Sequence, residues 1–272
     1  MKFSAFVGLA LASAVFATTT PAQARDTVFV TVDNANGTNL FGTLNLATGE
    51  FTQIAQTTPL FYALTNGPDG RLVGADIDTG TLFTISDKGV TRPYGTITAP
   101  GYEFISQGTY GFNGLVYREW QHDFLAVNVD PQHVSLYAIG SHARMQKDLG
   151  VIEGPDTGIF FSGDLALGPH GKLYFDFVTA SGPTQLYTIN EATGAPTPVG
   201  SGLGTDALIL VSDGIRLYGI DADTTTQIGI YRIDTRTGIA HATGIAISGL
   251  PDSNDFYVDA AILASSDHRR FD

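Results

Sequence analysis

The sequence predicts an all-β fold: a ring of five four-stranded sheets, closed by pairing N- and C-terminal strands in one sheet. Three observations carry the prediction. A strand-and-turn unit recurs along the chain, a turn-and-strand unit precedes four of its copies, and the C-terminus holds a strand that the N-terminal unit lacks.

The first unit reads apolar-aromatic-x-apolar, a polar residue, then Thr-Gly. Its clear copies are Leu40 to Gly49, Leu186 to Gly194 and Ile230 to Gly238; Leu82 to Gly89 and Leu136 to Gly140 are degenerate ones. Apolar side chains alternate as strands with a buried face require, and the glycine supplies the positive φ of a tight hairpin. The second unit is Gly67-Pro68-Asp69-Gly70, Gly111-Phe112-Asn113-Gly114, Gly168-Pro169-His170-Gly171 and Ser212-Asp213-Gly214, each followed by a short β run. Pro presets φ, and Asp-Gly or Asn-Gly closes the turn. Gly70, Gly114, Gly171 and Gly214 stand 44, 57 and 43 residues apart. A period in the forties built from short strands marks the blades of a β-propeller.

Each blade then holds an inner strand before the turn, a second after it, a third with the aromatic signature, and an outer one. Complete blades are expected at about 60 to 98, 103 to 152, 159 to 200 and 205 to 248. Residues 27 to 56 supply only three strands of the first blade. Phe256 to Leu263, which resembles Phe160 to Leu167, supplies the fourth and closes the ring. Closure leaves no long unpaired edge at the junction. On these motifs the chain from residue 25 onward resembles secreted bacterial-type β-propeller repeat proteins as a superfamily; it lacks the Trp-Asp dipeptide of WD40 repeats and the double glycine of Kelch repeats.

Ahead of the ring, Met1 to Ala24 carries Lys2, an apolar run from Phe3 to Ala17, and Ala22-Gln23-Ala24. This pattern predicts a signal peptide, and hence export to the periplasm or the outside of the cell, leaving one propeller domain over 25–272. The apolar run falls short of a bilayer span, so no membrane span is expected. With no cysteine, disulfides contribute nothing and the core must stabilise the fold. A formal net charge of −13 repels phosphate backbones, so nucleic acid is excluded as a partner. A monomer is expected.

Superposed by distance to the following turn, the inner strands bring Tyr62, Ser106, Asp164, Asp206 and Asp259 to one level, where three carboxylates from three blades face one channel mouth. Crowded carboxylates repel and raise a pKa, or demand a divalent cation such as calcium. Three readings stand: a site for a small molecule, glycan or protein; carboxylate catalysis by Asp164, Asp206 and Asp259; or aspartates that accept inter-blade N–H bonds. The catalytic arrangement resembles, in outline, five-bladed glycoside hydrolases, which would imply acid, base and auxiliary carboxylates on inner strands; here no Glu stands among the three. Asp76-Ile77-Asp78 and Asp221-Ala222-Asp223 offer D-x-D pairs, better matched to turn capping than to an EF-type calcium loop. The third blade carries Trp120, the one tryptophan, with His122, His133 and His142 at spacings of 11 and 9, which match no compact metal motif. Its loop is a candidate contact surface. No Cys nucleophile, G-x-S-x-G elbow, P-loop or H-E-x-x-H is present. The leading expectation is a binding module without catalysis, and the alternative a glycosidase-like hydrolase or lyase.

Overall fold

In the computed structural model, the described residues are 26–34, 38–76, 79–97, 111–129, 134–152, 163–177, 184–205, 208–221, 229–250 and 256–262. They form five antiparallel four-stranded sheets. Blade one is β1 (Thr27–Asn34), β2 (Thr38–Asn45) and β3 (Phe51–Thr57), with β20 (Phe256–Ile262) inside; blade two is β4 (Phe61–Asn66), β5 (Leu72–Asp76), β6 (Thr81–Ile85) and β7 (Thr91–Thr96). Blade three comprises β8 (Gly111–Arg118), β9 (Asp123–Val129), β10 (Val134–Gly140) and β11 (Met145–Val151). Blade four comprises β12 (Leu165–Leu167), β13 (Leu173–Phe177), β14 (Gln185–Ile189) and β15 (Pro196–Pro198), and blade five β16 (Leu208–Ser212), β17 (Leu217–Asp221), β18 (Gly229–Ile233) and β19 (Ala240–Ala246). The inner strands β20, β4, β8, β12 and β16 are neighbours in that order, and β16 returns to β20. The ring is thus closed by β20 pairing with β1, from Val28 opposite Ile262 to Asp33 opposite Phe256.

The core lies between the blades. Among the described residues the buried apolar side chains form five clusters, one for each pair of adjacent blades. Alternation in a strand explains this, because neighbouring side chains leave opposite faces and both faces meet a blade. Val28, Val30 and Val32 of β1 pack against Ile209, Val211 and Ile220 of blade five. Phe29, between them in sequence, packs with Phe61, Leu72 and Ile85 of blade two.

The Thr-Gly unit has a second use at these seams. Its polar residue caps the turn: Asn45 Oδ1 accepts the N–H groups of Ala47 and Thr48 at 2.8 and 3.1 Å, and Asp234 Oδ1 accepts that of Arg236 at 2.8 Å. The left-handed residue at the end of the turn lies on the outer edge of the preceding blade. A Cβ on Gly238 (φ 73) would stand 2.0 Å from the carbonyl oxygen of Val199. Gly49 meets Ala246 of blade five, Gly89 meets Ala55 of blade one, and Gly194 meets Leu149 of blade three in the same way. Blade three has Ala143 (φ 59) at this position, and its neighbour gives way: Gly95 of blade two is where a Cβ would come within 2.7 Å of the Ala143 methyl.

Blade three departs from the sequence expectation in one respect. Gly111 to Tyr117 was expected as a turn followed by a second strand, but the segment is the innermost strand itself, β8. Gly114 serves close packing: a Cβ there would lie 2.6 Å from the Cβ of Leu165 in blade four. The hairpin turn is Glu119 to His122, and His122 takes the left-handed conformation (φ 53) that Asp69 (φ 59) and His170 (φ 61) adopt in the corresponding turns of blades two and four. Short polar side chains and histidine tolerate that region better than most.

Candidate functional site

The channel is walled by the inner strands of all five blades, and Leu64, Leu115, Leu165, Leu210 and Ala260 contribute to a cavity of about 370 Å³. That volume lies in the range of small-molecule sites. The cavity reaches the ends of the inner strands, where Asn66, Tyr117, Glu119, Ser212 and Asp213 line it. Asp213 closes its own turn, its Oδ1 accepting the N–H groups of Ile215 and Arg216 at 2.8 and 2.6 Å. Tyr117 packs on Phe124 with ring centroids 5.0 Å apart. Burial first, then the Glu119 carboxylate, pushes its phenol above the ordinary range.

Trp120 follows on the same turn as Glu119. It is 55% exposed, and its ring passes 3.8 Å from where a Cβ on Gly171 would stand, so it lies beside the matching turn of blade four. A buried fork holds this turn. Arg118 donates through Nε and Nη2 to Asp123 at 2.9 and 2.6 Å, and through Nη1 to Glu191 of blade four at 2.9 Å. Burial works to lower the Arg118 pKa, but the hydrogen bonds to the two carboxylates outweigh it and the pKa is raised. The channel mouth and the Trp120 loop, separate candidates in the sequence, are therefore adjoining parts of one surface.

Of the superposed residues, Tyr62 and Asp164 stand toward the other end of the inner strands. Tyr62 is the bulged residue between Phe61 and Ala63 of β4, and its hydroxyl donates to Asp33 Oδ2 at 3.5 Å. Asp164 sits just before β12, buried between blades four and five. Its Oδ1 accepts the N–H of Leu165 at 2.6 Å and its Oδ2 that of Leu210 at 2.7 Å. Ser106 and Asp206 lie outside the described residues, as does the side chain of Asp259, whose backbone stands opposite Thr31.

The residue the sequence did not single out is Asp176 on β13. It is fully buried, and its oxygens accept the N–H of Asp164 at 2.7 Å and that of Leu208 at 3.0 Å. Burial pushes its pKa up to about 7, against the opposing pull of those hydrogen bonds. A lone Asp inside an apolar strand, Leu-Tyr-Phe-Asp-Phe, was the available signal. Asp76 caps locally, accepting the Thr79 hydroxyl at 2.6 Å, while Asp78 and Asp223 fall outside the described residues, as does His133. Among the described residues no three His, Asp or Glu side chains are grouped to hold a metal ion, and no helix is long and apolar enough to cross a membrane.

No protein-family model and no curated protein matches the chain. Solved structures do. TolB from Acinetobacter baumannii is 13% identical with a TM-score of 0.51, over 85% of this chain and 55% of that one. A PQQ-bound aldose sugar dehydrogenase from Streptomyces coelicolor is 17% identical with a TM-score of 0.49, over 66% of this chain and 62% of that one. A gluconolactonase from Xanthomonas campestris is 13% identical with a TM-score of 0.48, over 81% and 77%. The chain thus spans less than two thirds of the length of the first two. Likeness at this level of identity shows the fold alone, and fold does not assign chemistry. What the chain shares with these bacterial proteins is the β-propeller fold, and nothing narrower.

Proposed function

We propose that this chain is an exported binding module that takes a small molecule, glycan or peptide at the channel mouth beside Trp120, with the propeller as a rigid ring. The observation that carries the reading is the cavity bounded by all five inner strands and opening beside the Tyr117, Glu119 and Trp120 turn. An apolar wall with a few polar groups at its rim is the usual make-up of a ligand site, and exposed tryptophan is favoured at binding hot spots. A glycosidase-like reading needs Asp164, Asp206 and Asp259 as free carboxylates. Asp164 spends both oxygens on backbone N–H groups, which favours binding over catalysis.

The single tryptophan makes the test direct. Titrating the chain from residue 25 with calcium, soluble oligosaccharides and short peptides should give a saturable change in Trp120 emission with one of these probes, weakened severalfold by Glu119→Gln. Release of cleaved product would move the assignment to the hydrolase or lyase. Emission indifferent to every probe, or a response that Glu119→Gln leaves intact, removes this site. Export is checked by the mass of the secreted protein, expected to begin at Arg25.

A further inference from the structure

A second cavity adjoins the channel mouth at Asn66, which lines both. It has a volume of about 690 Å³ and sits between blades one and two, on the side where the turns of blade two project. Its floor is apolar: Phe29 comes from β1, Leu72 from β5 and Ile85 from β6, all of them buried. At the rim Val90 is 55% exposed, so the apolar surface continues outward.

The charged groups of this cavity are Arg71, Arg92 and Asp87. Arg71 ends the first turn of blade two, its backbone N–H donating to Pro68 O at 3.2 Å. Arg92 stands on the outer strand β7 opposite Thr84, whose hydroxyl donates to the Arg92 carbonyl at 3.4 Å. Two hairpins thus bring Arg71 and Arg92 to the lining of one cavity. Neither makes an ion pair among the described residues, although the chain has 27 acidic residues against 14 basic ones. The turn that carries Asp87 is fixed by Gly89, where a Cβ would come 2.3 Å from Ala55 of blade one.

We infer that this cavity binds a monocarboxylate with an apolar body, the carboxylate between Arg71 and Arg92 and the body on Phe29, Leu72 and Ile85. Guanidinium groups match a planar carboxylate through paired N–H donors. With Asp87 the lining carries a formal charge of +1, which one carboxylate neutralises and a polyanion overshoots. The floor then distinguishes the ligand from a bare ion, because burying its apolar body adds affinity that an ion without one lacks.

The test is calorimetric titration of the chain from residue 25 with octanoate and phenylacetate, beside octanol and inorganic phosphate, at low salt. The carboxylates are expected to bind, about tenfold or more tighter than octanol or phosphate, with about tenfold loss in Arg71→Gln and in Arg92→Gln and no binding in the double variant. Both side chains are exposed, so the variants keep the fold, which circular dichroism checks. Phosphate binding as tightly as octanoate overturns the inference, since the floor then contributes nothing. Octanoate binding that survives the double variant, or no binding of either carboxylate to the folded protein, overturns it too. Glu119→Gln should leave this titration unchanged, which separates it from the channel mouth.

Discussion

Asp176 is a carboxyl group kept from water on every side and answered by two backbone N–H donors, one from its own blade and one from the next. Its two oxygens therefore help hold the seam of blades four and five, and its proton removes the cost of a buried charge there. With a folded pKa of about 7 against an ordinary value of 3.8, the native state keeps the proton over an interval in which the unfolded chain has lost it. Stability from this residue is complete below about pH 4, falls as pH rises toward 7, and is level above that, a total on the order of a few kcal/mol. Asp176→Asn cannot titrate. The melting temperature of wild type minus that of Asp176→Asn should fall steadily from pH 4 to 7, and a value that stays constant across that range would show an ordinary pKa. Asp164, whose oxygens are also taken by N–H groups, supports the same seam from the facing strand.

At the scale of the hairpin, the turn between third and outer strands combines a backbone requirement with a contact between blades. The two can be separated by comparing glycines. Gly238 has φ 73 and a carbonyl oxygen 2.0 Å from any added Cβ, whereas Gly214 has φ 81 with nothing within 4 Å. Alanine at Gly214 meets only the left-handed backbone cost, about 1–2 kcal/mol. Alanine at Gly238 must also push blade five off blade four. Chemical denaturation should therefore show Gly238→Ala losing at least about 2 kcal/mol more than Gly214→Ala, by the usual cost of overpacking; equal losses would mean the turn merely sits near its neighbour. Arg118 ties another hairpin across a seam through Glu191, and that tie holds the Trp120 turn beside blade four.

At the scale of the whole molecule, removal of residues from Asp255 onward takes away β20, whose Ala260 and Ala261 belong to the clusters on either side of blade one. Two of five seams open at once, and the truncated chain is expected to lose its cooperative melting transition; melting unchanged from the full chain would mean the ring does not depend on β20. Much of this architecture is readable in the sequence because turn chemistry repeats: Thr-Gly, Pro-Asp-Gly and the aromatic signature each answer a local backbone requirement that neighbours do not alter. Gly114 misleads for the complementary reason, since an Asn-Gly pair looks like a turn whether the glycine is needed for φ or for room against Leu165. The inner-strand superposition found Asp164 but not its partners, because N–H groups carry no residue identity. The cavity of Arg71 and Arg92 joins residues of two blades and has no linear signature. One feature of the seams also orders events in time. Gly89, Ala143, Gly194 and Gly238 each rest on a blade made earlier in the chain, while Gly49 rests on Ala246 of the blade made last. A chain growing from its N-terminus can seat four of these overlaps as it lengthens. The fifth must wait, with the edge of blade one uncovered, until blade five has been synthesised.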